Sequence, residues 1–496
     1  MEQVVSGLEN NPQRPKLNLL SLSVAAGICL VFWLLAVTHD PNESWGIISI
    51  LPTIFVLAVA IYSRKPFESL LAGCVAGYIM LHKTDIVTPF CDGISTVLGN
   101  ETIIWIVLVC GLMGGLITLL ELSGCLGSFS QWLQGKIKSR KQSLVTTFII
   151  GLVVFIDDYL NCLAVSSAMK KLTDHYKVSR EKLSFIIDST AAPMCVIVPI
   201  STWAVFFAGL LEENGLAEAG EGMGLYISAI PYMAYGWTAL LVVFLVCIGV
   251  IGDFGPMKKA EKRAMEGQPI PDDFIGQELD VPMNTGREVG MGMGMLNFFL
   301  PMILLIASTV YYEIDLLRGV VLTLAVTVLL YYVQGILSFN DQVKGLFTGF
   351  EIMFYPLSTV FAGFLLKDIN DSLGMTQYII NAVTPYMTQE LLPAIVFALM
   401  AFVVFGTASS WGVFIIAIPI IVPIAISVDA NIPLVVGAML SASSFGSHAC
   451  FFSDSTVLAA QGAGCSPMAH AFSQIPYAMI GASLALITFL VLGYTL

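Results

Sequence analysis

The sequence predicts an all-α polytopic membrane protein, and three observations carry that reading. The 496 residues are 57% hydrophobic and only 11% charged, against about 25% charged in soluble domains. Apolar runs longer than the roughly 18 residues that mark a membrane-crossing helix recur along the whole chain. The 22 Lys and Arg residues cluster in a few short polar stretches between those runs, as the bias of basic residues toward cytoplasmic loops requires. The net charge of −13 and the lack of a basic patch with interleaved aromatics exclude a nucleic-acid partner. Ten cysteines occur with no CxxC pair and no metal-ligand spacing, so they read as buried small hydrophobes.

In chain order, residues 1–16 form a polar cytoplasmic tail, and 17–44 hold one N-terminal transmembrane helix retained as an anchor. Residues 45–252 form a first repeat with spans near 45–63, 67–82, 101–122, 183–212 and 225–252. The polar stretch 253–290 is a solvated cytoplasmic linker, and 291–496 form a second repeat with spans near 294–312, 315–337, 352–368, 431–453 and 470–495. That makes about 11 transmembrane helices. Amphipathic connectors near 128–142 and 340–350 are expected to lie along the membrane surface.

Two apolar segments, 144–169 and 392–428, do not fit as simple spans. If each dips into the bilayer and returns on its own side, the N-terminus lies inside and the C-terminus outside. Every basic residue except Lys83, Arg318 and Lys367 then falls on the cytoplasmic side. Both segments are therefore read as re-entrant hairpins, the first entering from inside and the second from outside. Non-helical backbone at membrane depth is tolerated only where it is buried in protein or lines a wet cavity.

The first hairpin carries FIDDYLN at its centre, with Asp157 and Asp158 side by side. An ionised carboxylate in hydrocarbon costs about 2.5–3.5 kcal/mol or more, so an intramembrane acid is a functional candidate by default. Asp188 in IIDSTAAP and Asp454 in FSDSTVLAA repeat the theme inside the spans that follow the two hairpins. The shared DST tripeptide and the opposite entry of the hairpins suggest an inverted-topology repeat with broken helices (183–212 and 431–453) at the midplane. Secondary transporters place substrate and coupling ions at such a repeat interface.

Ligand hardness then selects the ion. Asp157, Asn161, Asp188, Ser189 and Thr190 from the first half would surround a small hard cation such as Na⁺, together with Thr407, Ser409, Asp454, Ser455 and Thr456 from the second. All supply oxygen, as hard cations prefer; the nitrogen and sulfur ligands of a transition-metal site are missing. Adjacent carboxylates in a poorly solvated place resist double ionisation, which makes Asp158 the candidate to hold a proton. Trp203, Trp411, His448, Phe451 and Phe452 flank these residues and are candidates for substrate contact. No GxSG, GxGD or HExxH pattern appears, so the chain is not read as an enzyme.

The runs DDYLNCLAVSSAMKKLTDHYKVSREKLSFIIDSTAAP, GTASSWGVFIIAIPI and SDSTVLAAQGAGCSPMAHAFSQIPY resemble the NhaC-type sodium/proton antiporter family of the ion transporter superfamily. The resemblance covers most of the chain between about residues 105 and 478. It implies a Na⁺-coupled carrier in the bacterial cytoplasmic membrane, with no cofactor, working by alternating access and often as a homodimer. Protons are the implied counter-ion. One stretch departs from the family: where relatives carry an acid followed by HCSP, this chain reads GSHACFFSDST. Ser447 replaces the acid, and Phe451 and Phe452 replace Ser-Pro. Fewer charges and more aromatic surface suit an organic substrate, so Na⁺-driven carriage of an amino acid or carboxylate is the alternative. An ion channel is a third class, disfavoured because two inverted hairpins around one occluded site suit a carrier.

Overall fold

The computed structural model describes residues 19–41, 43–63, 65–155, 157–213, 216–218, 220–272, 274, 290–408 and 410–496. Side chains are described from residue 27 onward except at scattered positions that include 410–412. Among the described residues the regular structure is all helical. Among the described residues six helical segments, the interrupted Arg180–Glu212 included, are long and apolar enough to cross a bilayer, or nine if each bent pair counts as one span, and three shorter apolar helices accompany them.

The first hairpin is built as a fold-back. Its entering arm runs Arg140–Val153. The chain is extended at Asp157, and a returning arm continues through a wide π-type turn, Asn161–Val165, into Ser166–His175. The outer ends of the arms meet, since the Tyr176 hydroxyl donates to the Ile137 carbonyl at 2.5 Å. At the tip the Asn161 side-chain amide donates to Gly151 O, Val154 O and Thr190 O at 2.7, 3.0 and 2.8 Å. In a continuous helix residues 151 and 161 would stand about 15 Å apart, so the chain reverses between them. An entering arm of 14 residues reaches about 21 Å, short of the roughly 30 Å hydrocarbon core. The second segment has the same two-armed plan. Leu392–Thr407 ends at Ala408, a left-handed residue (φ +57°), and Ser410–Ser427 follows.

The expected broken helix at 183–212 is present as three pieces: Arg180–Thr190, Ala192–Ile197 and Thr202–Glu213. Pro193 and Pro199 lie in or beside the interruptions, where a missing N–H and a restricted preceding residue disfavour a continuous helix. The second differs from expectation. Ile432–Ala449 is unbroken, and the interruption comes after it, at 450–453, before a short half-helix Asp454–Ala463. The two DST tripeptides therefore do not correspond. Asp188 lies near the end of the piece that precedes an interruption, and Asp454 opens the piece that follows one. A serine does cap the piece that follows each interruption. Ser201 accepts the amide of Ala204, and Ser453 accepts that of Thr456.

Other elements depart from the sequence reading. Residues 340–350 are not a separate surface connector: one helix, Phe339–Ser372, runs through them and bends by 40° between Tyr355 and Leu357. The connector near 128–142 is a helix, Cys125–Lys136, with Cys125, Leu126, Phe129 and Leu133 buried. An unforeseen helix, Val87–Leu98, turns 119° away from Phe67–His82. The most extensive helix–helix packing among the described residues is the crossing of Glu101–Leu122 with Phe339–Ser372. Gly115 and Gly349 set its closeness, since a Cβ on Gly349 would stand 2.3 Å from the Gly115 nitrogen. Small residues are what permit such backbone approach between membrane helices.

The largest correction concerns the linker. Residues Gly255–Met265 form a helix packed against Arg180–Thr190 and against the final helix, Pro467–Thr495. Glu261 on it is buried. It accepts the Ser179 amide at 2.8 Å, faces Lys182 Nζ at 3.4 Å and pairs with Arg140 at the foot of the first hairpin. Lys182 also binds Asp253 at 2.6 Å, Arg263 binds Glu181 at 2.7 Å, and Arg180 binds Asp174 at 2.7 Å and the Ala463 carbonyl at 2.6 Å. Charges that read as solvated in sequence thus form a partly dehydrated network joining the linker to both broken helices. The remainder of the linker, 273 and 275–289, lies outside the described residues. Removing one partner of a buried pair leaves its mate uncompensated, at about 3–5 kcal/mol. Glu261→Gln is expected to lower stability by about that amount in detergent-solubilised protein, and Glu266→Gln, on the exposed side of the same linker, to leave it unchanged; thermal unfolding of the two variants checks this.

Candidate functional site

The returning arm of the first hairpin begins with an acid because its exposed amides need a cap. Asp157 Oδ1 accepts the Leu160 amide at 3.0 Å, the ordinary work of an N-cap residue. Its second oxygen accepts the Thr202 hydroxyl at 2.9 Å, tying the hairpin tip to the interruption of the first broken helix. Asp158 is one residue further on, equally buried, and neither of its oxygens has a hydrogen-bond partner. The Trp203 indole lies beside it. Two adjacent carboxylates thus have separate roles: one caps, and the other is left open.

Asp454 faces the same tip from the second half of the chain. Its Oδ2 accepts the Tyr159 hydroxyl at 2.5 Å and its Oδ1 the Ser455 amide at 2.9 Å. The short helix it opens lies close on the returning arm, where a Cβ on Gly462 would meet the Cys162 carbonyl at 2.5 Å. Ser453 caps that helix and donates to Ser447 O, and the hydroxyls of Ser447 and Ser455 are 2.8 Å apart.

Asp188 belongs to a neighbouring group. Its Oδ2 accepts from Thr456 Oγ1 at 3.3 Å, His470 Nε2 at 3.1 Å and Gln474 Nε2 at 2.7 Å, while Oδ1 is buried without a partner. His470 and Gln474 stand four residues apart, on one face of the final helix. The sequence reading missed both, along with Tyr159, Thr202 and Tyr235. The signal available was the pair of polar residues at i and i+4 inside an apolar span.

His448 is fully engaged. Ser189 donates its single hydroxyl proton to Phe185 O at 2.6 Å, so at 2.9 Å it accepts from His448 Nε2. Nδ1 then accepts the Tyr235 hydroxyl at 2.6 Å. That assigns a neutral ring protonated on Nε2. Thr190 and Thr407 donate back to their own helices, to Ile186 O and Ile187 O and to Val403 O respectively. Among the aromatic candidates, Trp203 packs on Phe207 and Phe451 packs between Phe405 and Phe472. Phe452 is buried. Ser409 and the side chain of Trp411 lie outside the described residues.

The structure therefore brings Asp157, Asp158, Asn161 and Asp454 to one place, with Asp188, Ser189, Thr456 and His448 beside it through the 454–456 turn. Five buried side-chain oxygens there lack a partner: both of Asp158, Asn161 Oδ1, Asp188 Oδ1 and Gln474 Oε1. All five are acceptors. Among the described residues no Lys or Arg bonds to any of the four carboxylates.

Comparison with known proteins adds two findings. The family model described as "Na+/H+ antiporter family" matches residues 204–494, a stretch that includes Asp454, His470 and Gln474. A Haemophilus influenzae protein, described only as uncharacterized, is 28% identical over 94% of this chain and 93% of its own length.

The tip is also close-packed. A Cβ on Gly151 would stand 2.1 Å from Thr190 Oγ1 and 2.8 Å from its Cβ. Gly151→Ala is expected to destabilise the protein by about 1–3 kcal/mol, as overpacking does. Gly224→Ala, where a Cβ meets nothing within 4 Å, is expected to be neutral or stabilising. Thermal unfolding of the two variants in the same detergent checks the contrast.

Proposed function

The chain belongs to the Na⁺/H⁺ antiporter family, and on that premise we propose that it is a multi-pass Na⁺-coupled secondary transporter of the cytoplasmic membrane, exchanging Na⁺ for protons by alternating access. The observation that carries the reading is the set of five unpartnered buried acceptors in this cluster, three of them oxygens of its four carboxylates and the others Asn161 Oδ1 and Gln474 Oε1. A buried acceptor left unmet costs about 1–3 kcal/mol, and more when charged. A dehydrated alkali cation or a proton removes that cost, whereas an anion adds to it.

In this mechanism Asp158 is the exchanging group. Of the four carboxylates it alone has both oxygens free of hydrogen bonds among the described residues, so it takes either a proton or Na⁺ without breaking an existing contact. Asp157 is held by Leu160 N and Thr202 and orients the tip. Asn161 offers its free carbonyl oxygen while its amide pins the hairpin closed. Asp188, Ser189, Thr190, Thr407, Ser409, Asp454, Ser455 and Thr456 remain the proposed oxygen wall around the ion. Proton and Na⁺ compete for one negative charge, which is what couples their movements. The matching serine caps at 201 and 453 support an inverted repeat, and the two hairpins would open the site to opposite faces in turn.

Carriage of an amino acid or carboxylate at this site finds less support. A carboxylate substrate needs donors, and those of Thr202, Thr456, His470, Gln474 and Tyr159 are already given to the aspartates. Trp203, Phe451 and Phe452 are given to core packing.

The test is flux into proteoliposomes loaded with a pH-sensitive dye. An imposed Na⁺ gradient is expected to drive opposite proton movement. Asp158→Asn is expected to weaken apparent Na⁺ affinity by about 10- to 100-fold, the loss of one charge-assisted ligand, with unfolding temperature maintained or raised. A wild-type protein that moves no protons but accumulates a labelled amino acid would overturn the proposal.

A further inference from the structure

The linker helix Gly255–Met265 has two faces of different character. Inward, Met257, Ala260, Glu261 and Ala264 are buried. Outward, Lys258, Lys259 and Lys262 are exposed, with Phe254 and Met265 exposed among them at 36% and 53%. Apart from the exposed Glu266 and Asp272, the charges around this helix are sorted by sign. The acids Asp174, Glu181, Asp253 and Glu261 turn inward onto Arg180, Arg263, Lys182 and Arg140. The lysines turn outward, and Lys141 and Lys177, next to Arg140 and close to Ser179, are exposed at the same end. Among the described residues none of these five ammonium groups has an ion-pair partner. A chain of net charge −13 therefore carries a positive surface at one end.

The position of that surface selects its partner. The apolar helix Ala234–Ile248 ends a few residues before the linker helix, and the candidate span Arg180–Glu212 starts against it. The lysine face thus sits at the margin of membrane-spanning helices, with apolar side chains interspersed. Its cations are also spread out: three ammonium point charges over about one helical turn, not a converging fork or a nest of amides such as holds a single phosphate. A dispersed set suits a surface of many anions.

We propose that the Lys258–Lys259–Lys262 face of the linker helix is a docking surface for the headgroups of anionic phospholipids. Each lysine near such a surface contributes about a fivefold gain in affinity, or roughly a hundredfold for three. Because Glu261 fastens the opposite face to the hairpin foot and to the helix that carries Asp188, headgroup binding stabilises the elements that hold the candidate site.

The experiment uses the full-length protein in neutral phosphatidylcholine nanodiscs and in discs with increasing phosphatidylglycerol, and its readout is unfolding temperature, with binding of short-chain phosphatidylglycerol in neutral detergent measured alongside. Neither readout requires transport, so failure here and failure of the antiport reading are distinguishable. The wild type is expected to gain several degrees as phosphatidylglycerol rises. The triple variant K258Q/K259Q/K262Q is expected to match wild type in neutral discs, lose most of that gain and bind phosphatidylglycerol about a hundredfold more weakly. K258R/K259R/K262R is expected to keep the gain, and Lys83→Gln, an exposed lysine elsewhere, to behave as wild type. A wild type indifferent to phosphatidylglycerol, or a triple-glutamine variant that responds as wild type does, would overturn the proposal. Inorganic phosphate or diphosphate producing the same gain in neutral discs would also overturn it, assigning the surface to a soluble anion.

Discussion

Four carboxylates buried among apolar helices, with no Lys or Arg bonded to them among the described residues, are the constraint from which the rest of this structure follows. In a low-dielectric interior such a set persists only where each charge is hydrogen-bonded, protonated or met by a cation. The chain uses the first remedy as far as it extends. Asp157 takes an amide and a hydroxyl, Asp454 a tyrosine and an amide, and Asp188 three donors on one oxygen. Asp158 is left over. The broken helices, the hairpin reversal and the polar face of the final helix all supply donors to this one place.

The same constraint explains where the basic residues went. A lysine or arginine inside the site would pair permanently with one of these acids and repel any added cation. Arg140, Arg180, Lys182 and Arg263 are instead gathered outside the site, where they pair with acids of the linker and of the adjoining hairpin foot and broken helix. The site-bearing elements are joined there, so the hairpin, the Asp188 helix and the Asp454 helix share anchors outside the site as well as hydrogen bonds within it. Opening part of such a network exposes unpaired charges at a cost of several kcal/mol each, which favours keeping these elements together.

Much of the fold was legible because hydrophobic run length and basic-residue placement are strong signals in a membrane chain. FIDDYLN marked itself as a reversal because two acids in an apolar run have no simpler explanation, and the structure folds back there. The second broken helix was misplaced by a few residues because CFFS carries no proline: its interruption depends on tertiary contacts such as Ser453 to Ser447 O. Glu261 was read as solvated because KKAEKRAM has a surface composition, and composition does not show which face docks. His470 and Gln474 escaped notice because the final helix scans as an apolar span. Only the fold reveals that this face meets Asp188. The DST tripeptides misled for a related reason, since equal letters lay on opposite sides of an interruption.

The most direct test of the central claim is equilibrium binding of radioactive sodium to the purified protein across a range of pH. If the open carboxylate at the hairpin tip is where proton and Na⁺ compete, binding saturates, weakens progressively as pH falls, and is lost in a folded protein whose residue 158 cannot ionise. Saturable binding that ignores pH, or that survives unchanged without that carboxylate, would contradict the account.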